Sequence, residues 1–255
     1  MKFIDSHCHL HNEIISNDEV KKLIEEDDSL LFCLIQGASE ERNKELVDFV
    51  KTCDKAYGLV GLHPEDLKMP EENDKVIENL KGYIKNEKIV GIGEIGLDFH
   101  FRSDNKEEQL RVFEKQLKLA AELKLPVCIH CRDAKVELYE ILKRNKDNFK
   151  YGIVIHCFSE NEDWAKKFIE LGCYISFCGN FTFKNYDKSN VKVVPLDKLL
   201  IETDSPFLSP VPYRGQINNP TRVCVVGEAI DSYLNISLEE LVNQTTKNCI
   251  LLYKL

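Results

Sequence analysis

The sequence predicts a (β/α)8 barrel, somewhat distorted and built as a single domain over residues 1–255. Three observations predict it. Eight short apolar runs rich in β-formers alternate with charged stretches of helical period. The runs are almost continuously apolar, the pattern of parallel strands covered on their faces rather than of a half-solvated sheet. Side chains able to ligate metals then stand at or just beyond the ends of several runs, as they do where barrel strands converge on one face.

The strands are expected at 3–5, 30–36, 56–61, 89–93, 126–129, 152–155, 174–177 and 198–201. Helices are expected between them at 18–26, 39–53, 72–86, 106–123, 136–145 and 161–171, and after the last strand at 224–233 and 238–253. The connection at 180–197 carries no clear helical pattern. Strands separated by helices imply a parallel sheet, and eight such units close into a barrel. An open doubly wound sheet is the competitor. Its support is Gly91-Ile-Gly-Glu-Ile-Gly96, which matches a dinucleotide-binding G-x-G-x-x-G, but Leu97-Asp98-Phe99-His100 does not begin like an amphipathic helix.

Composition narrows the class. No apolar run approaches the roughly 20 residues needed to cross a bilayer, and residues 1–6 lack the apolar core of a signal peptide. The ten cysteines include Cys33, Cys128 and Cys178 inside apolar runs, which reads as reduced core thiols in a cytoplasmic protein. Cys128-Ile-His-Cys131 forms a C-x-x-C, but its first cysteine lies in a strand and no second pair follows at finger spacing, so both are expected to pack. With 34 Lys+Arg against 43 Asp+Glu the chain carries −9. That excludes a general nucleic-acid coat protein with a basic face, though not an enzyme whose bound cations draw phosphates locally.

Six residues form the expected metal set: His7, His9, Glu94, His130, His156 and Asp204. His7 and His9 make an H-x-H pair at the end of the first strand, where alternation points both imidazoles one way and Cys8 the other. Glu94 closes an apolar strand, where a carboxylate is costly to bury unless paired or metal-bound, and its two oxygens could bridge two cations. His130 and His156 each end an apolar run. Asp204, after the eighth strand, can ligate through one oxygen and accept a proton with the other. Each residue has a plainer reading, as a capping group, a satisfied core histidine or a turn aspartate before Ser-Pro. Glu202 can orient a ligand from behind or form a salt bridge lower in the barrel.

In order along the chain, Asp5-Ser-His-Cys-His-Leu10, Gly61-Leu-His-Pro64, Gly93-Glu-Ile-Gly-Leu-Asp98, His130-Cys-Arg-Asp-Ala134, His156-Cys-Phe-Ser159, Gly179-Asn-Phe-Thr-Phe-Lys184 and Glu202-Thr-Asp-Ser-Pro-Phe-Leu208 resemble the motifs of the TatD family of metal-dependent deoxyribonucleases. The resemblance covers essentially the whole chain. It implies two divalent ions (Zn, Mg or Mn), one on His7, His9 and Asp204 and one on His130 and His156, with Glu94 shared. It implies His63 near the scissile phosphate. With that site, Asp204, Glu94 and His63 are the expected catalytic groups, and His63, Arg132 or Arg214 could hydrogen-bond phosphate, Arg132 alternatively pairing with a barrel carboxylate. A monomer acting on DNA, or on DNA and RNA, is expected, with 3′→5′ exonuclease action on single strands. Two departures are visible: Phe99-His100 where the family often has Tyr, and Gln216 in place of a lysine in the loop Arg214-Gly-Gln-Ile-Asn218. Phe99, Phe158, Trp164 and Tyr213 could stack on bases, but most of them are expected in the core, and Trp164 lies on a helix that can simply pack. Asp98 and Asp133 are expected to be structural. Two alternatives stand beside the nuclease: a metal-dependent esterase or amidase such as a D-aminoacyl-tRNA deacylase, and a non-catalytic metal-binding scaffold.

Overall fold

The apolar runs pair as expected, and helical segments follow each of the first six. The computed structural model describes residues 1–146 and 150–255. In chain order its elements are β1 (Phe3–Cys8), α1 (Asn17–Glu26), β2 (Leu30–Gln36), α2 (Glu40–Thr52), β3 (Ala56–Val60), α3 (Pro70–Tyr83), β4 (Ile89–Asp98), α4 (Lys106–Leu123), β5 (Val127–Arg132), α5 (Lys135–Arg144), β6 (Ile153–Ile155), α6 (Glu162–Glu170), β7 (Tyr174–Phe177), β8 (Leu199–Ile201), α7 (Val223–Leu234) and α8 (Leu238–Tyr253). Helix starts follow local chemistry. The side chains of Ser16, Ser39, Asn161 and Ser237 each accept a backbone N–H of the helix they open, and Pro70 occupies the first turn of α3, where its missing N–H costs nothing.

All eight strands form one parallel sheet in the order β1 to β8. The seam between β8 and β1 closes at the C-terminal side of the strands. Ser6 Oγ donates to Ile201 O at 2.9 Å, Asp204 N to His7 O at 2.9 Å and His9 N to Ser205 O at 2.7 Å. Closing the barrel is therefore what brings the two chain ends of the site together.

The interior is layered with period two. Leu34, Cys128, Val154 and Leu200 belong to an apolar cluster completed by Leu252 and Tyr253 of α8. Two residues further along the same strands stand Gln36, His130, His156 and Glu202. Alternate strand residues, such as Ile129, Ile155 and Ile201, face outward into the larger core under the helices.

Two strands run further than their apolar stretches suggested. β1 continues to Cys8 and β4 to Asp98. After a register shift between Ile92 and Ile95, β4 stays paired with β5 through Gly96, Leu97 and Asp98. Gly96 is required there: its φ is +152°, and a Cβ would meet the His130 carbonyl oxygen at 2.0 Å. The glycine-rich segment 91–96 thus lies within a strand and opens no helix, which removes the dinucleotide-fold alternative. The 180–197 connection holds only short 3-10 turns. No helix among the described residues is long and apolar enough to cross a membrane.

Candidate metal centre

His7 Nε2 and His9 Nε2 lie 3.0 Å apart at the seam. Each is 3.3 Å from Glu94 Oε2, and Asp204 Oδ1 is 3.6 Å from the first and 3.4 Å from the second. On the other side, His130 Nδ1 and His156 Nε2 stand 2.9 and 2.8 Å from Glu94 Oε1 and 3.4 Å from each other. One buried carboxylate is shared between two donor sets, one oxygen to each.

These spacings suit ligands around a cation. Nitrogens bound at ~2.0–2.1 Å in tetrahedral geometry sit ~3.3 Å apart. Glu94 Oε1 is buried and makes no hydrogen bond, despite three ring nitrogens nearby. An unsatisfied buried acceptor costs on the order of 1–3 kcal/mol, and more for a charged one. The residues present fit metal ions better than they fit a hydrogen-bond network.

The backs of the rings point the same way. His130 Nε2 is 2.9 Å from Asp98 Oδ2, and His156 Nδ1 is 3.2 Å from Glu202 Oε1. Each carboxylate holds the ring proton on the far nitrogen and leaves the inward nitrogen free to donate its lone pair. His7 rests Nδ1 against Cys128 Sγ at 3.3 Å. Glu202 is itself fixed by Cys157 N at 2.8 Å and by the Ser176 hydroxyl. Asp5, fully buried behind the seam, accepts from Thr203 N at 2.8 Å and His7 N at 3.3 Å.

His63 differs from the other four. Its Nδ1 accepts from Glu65 N at 3.2 Å, so in the neutral ring the proton sits on Nε2, 3.2 Å from Glu94 Oε1. It presents a donor, not a lone pair, to the centre.

Electrostatics follow from burial and charge. Burial opposes ionisation of Glu94, yet His156, His63 and His7 hold its carboxyl well below the usual range. Burial likewise opposes the charge on Asp204, and a hydrogen bond from His9 with the nearby His7 and His156 lowers it. Burial, then the neighbouring His156, lowers His7. For His156 burial is outweighed by Glu94 and Glu202, which raise it well above its ordinary value. Asp98 is pulled to about 2 by its hydrogen bond with His130 against the effect of burial. Asp204 sits at φ +54°, a strained backbone that aims its carboxylate back across the seam.

The centre opens into a cleft of about 790 Å³, whose lining includes His63, Arg42, Arg132, Phe101 and Phe207. Arg132 lines this cleft. Arg214 stands outside this lining, its guanidinium over Phe183 at 3.9 Å, and the neighbouring Gln216 accepts from Arg222 at 3.0 Å. Of the aromatic residues that could stack, Phe99 and Phe158 are core, and Trp164 packs with Tyr139 and Phe168. Tyr213 lies under Arg222 and outside the lining. Asp133 pairs with exposed His100 at 2.9 Å. Sequence reasoning missed the contact of Asp98 with His130, although its place at the end of the same motif as Glu94 was a signal. It also missed Arg42, whose guanidinium reaches Leu10 O and His11 from α2 and which carries no motif.

Comparison with known proteins settles the family. The family described as TatD related DNase matches residues 4–254. The chain belongs to that family. It is 36% identical to the "Uncharacterized metal-dependent hydrolase YabD" of Bacillus subtilis (strain 168), over 98% of each chain. It is 35% identical to the "Uncharacterized metal-dependent hydrolase YcfH" of Escherichia coli (strain K12), over 97% of this chain and 94% of that one. Among solved structures it superposes on YJJV, a TatD homolog from Escherichia coli k12, with a TM-score of 0.89 at 27% identity, covering 99% of this chain and 98% of the other. A TatD-family hydrolase from Entamoeba histolytica shares the fold at a TM-score of 0.83 and 23% identity. This TatD-family chain is accordingly a metal-dependent hydrolase with a (β/α)8 barrel, and its ligand-type side chains gather at one barrel mouth.

Proposed function

We propose that this chain is a two-metal phosphodiesterase that removes nucleotides from the 3′ end of single-stranded DNA. The observation that carries the reading is the division of Glu94, one oxygen to His7, His9 and Asp204, the other to His130 and His156. A lone carboxylate shared in this way suits two adjacent cations. The cations, whether Zn, Mg or Mn, would supply a water acidic enough to attack at neutral pH and would offset charge on the phosphoryl oxygens.

The protein's own groups supply the rest. Asp204, part-exposed to the cleft, takes the proton of the attacking water at its carboxylate. Asp98 and Glu202 keep the ring protons of His130 and His156 on the outward nitrogens, which leaves both inward lone pairs to a cation. His63 presents Nε2–H towards a phosphoryl oxygen, a donor that gains strength as charge develops there. Arg132, at the cleft wall, matches a neighbouring phosphate with its planar fork. Water adds to phosphorus, the 3′ oxygen of the preceding sugar leaves and takes up a proton, and a mononucleotide departs. The polarity and the choice of DNA rest on the family.

The test is hydrolysis of 5′-labelled single-stranded DNA by metal-stripped protein with Mg²⁺, Mn²⁺ or Zn²⁺ restored. Stepwise shortening that requires metal, and that falls by about 10²–10⁴-fold in Asp204→Asn, is the expected result. Absence of cleavage with every metal, or equal rates in the variant, sinks the reading and turns attention to aminoacyl esters and amides.

A further inference from the structure

Two aromatic rings stand partly open at the cleft mouth, each packed on one side only by polar neighbours. Phe101 is 58% exposed and Phe207 is 42% exposed, and both line the cleft that holds the centre. On the wall of a polar cleft their open faces offer π-surfaces to a ligand that enters it. The two rings belong to the segments following β4 and β8, strands four apart in a ring of eight and so on opposite rims of the barrel.

Each ring is tied to one donor set. Phe101 N donates to Asp98 Oδ1 at 2.7 Å, and the same carboxylate holds His130 through its other oxygen. The Arg132 guanidinium lies over the Phe101 ring at 4.4 Å, fixing the ring beside a phosphate-type cation. Phe207 N donates to Asp204 O at 3.0 Å, and its ring meets His11 edge-on at 5.1 Å and His9 at 6.2 Å.

Resting on the nuclease reading above, we propose that Phe101 and Phe207 form a base-stacking subsite that receives the unpaired nucleobases on either side of the scissile phosphate. The Phe101 ring takes the base on the His130 side and the Phe207 ring the base on the Asp204 side. Every base has a π-face, so such a subsite accepts any sequence while demanding that the bases be unstacked from a duplex. Arg132 gives the Phe101 side a cation, a ring and a base in succession. No base edge needs to be read.

The experiment compares steady-state hydrolysis of a single-stranded oligonucleotide with that of the same strand carrying tetrahydrofuran abasic residues at its last two positions. Stacking of the usual strength at both positions makes the abasic strand's KM about thirtyfold higher or more for the wild type. In Phe101→Leu and Phe207→Leu the ratio of the two KM values falls towards one, while Phe101→Trp and Phe207→Trp retain it. A second readout is independent of turnover. A strand with terminal 2-aminopurine is quenched on binding Asp204→Asn protein, and the added Leu substitution relieves the quenching. Equal KM values for the two strands in the wild type, or a ratio untouched by the Leu variants, overturns the subsite and leaves the nuclease reading intact. Failure of the wild type to cleave either strand with any metal overturns the nuclease reading itself, and the subsite with it.

Discussion

Two layers of the barrel interior, two residues apart along the same strands, do different work. Cys128, Val154 and Leu200 sit in the lower, apolar layer that α8 completes with Leu252 and Tyr253. His130, His156 and Glu202 follow them in the upper layer, where five histidines and two carboxylates crowd round Glu94 and Asp204. The lower layer gains stability from dispersion and water exclusion. The upper layer spends it, because buried like groups and an unsatisfied carboxylate oxygen are costly without cations. The barrel separates folding and chemistry by a rise of about 7 Å along each strand.

The sharpest way to break that separation is at its top. Glu94→Gln keeps the shape of the side chain and removes the charge shared by both donor sets. Loss of the stabilisation that a bound cation gives to transition-state charge predicts a fall in kcat/KM of about 10³-fold or more. The variant still melts cooperatively, since the apolar layer below is untouched. Activity within tenfold of wild type would show that Glu94 serves only as a buried counter-charge.

Leu200→Ala tests the other layer. Leu200 is fully buried, and truncation at such a site costs about 2.7–5 kcal/mol, or roughly 6–15 °C in melting midpoint for a chain of this length. The expected kcat, measured well below that midpoint, stays within about threefold. A large loss of kcat with an unmoved midpoint would mean that the layers are coupled through the strand.

How much of this was legible follows from the same layering. Apolar runs announce strands, so β2 was placed at 30–36, as observed, and α4 and α8 at their observed bounds. The polar ends of β1 and β4 were invisible to an apolar criterion because the ladder, and not the side chains, carries the strand on through His7 and Asp98. The six expected ligand-type residues come together in a gap that only barrel closure creates. Arg214 stands outside the cleft lining because an exposed loop arginine can turn to Phe183, a choice made by tertiary contacts. The aromatic residues of the cleft are hidden from the sequence for the converse reason. Phe99 and Phe101 are two residues apart in a loop with no period, and nothing in composition says which one is buried.

Asp98 sharpens the boundary of the upper layer. Asp98→Asn weakens the acceptor that holds the proton of His130 on Nε2, and outer partners of this kind are worth about 10–100-fold in metal affinity or activity. Calorimetric titration of metal into stripped protein is the measurement. Affinity unchanged within twofold would reduce Asp98 to a support for Phe101.

The smallest effect compares one backbone conformation at the two ends of the barrel. Asp204 has φ +54° and Lys124 has φ +60°. Lys124 ends α4 below β5, its N–H closing the helix on Ala120 and Ala121 carbonyls. A side chain in the left-handed region costs about 1 kcal/mol. Glycine removes that cost but returns part of it as unfolded-chain entropy, and it gives up the attraction of the lysine charge to the helix C-terminus. The net for Lys124→Gly is a gain of about 0.5 kcal/mol, or roughly 1–2 °C, with kcat and metal affinity unaltered. The same replacement at Asp204 relieves the same strain and removes the proton acceptor. A stabilised but inactive Asp204→Gly beside a stabilised and active Lys124→Gly shows that strain at the mouth is held for chemistry. A destabilised Asp204→Gly would show instead that the carboxylate repays its own strain through its histidine neighbours, even before metal binds.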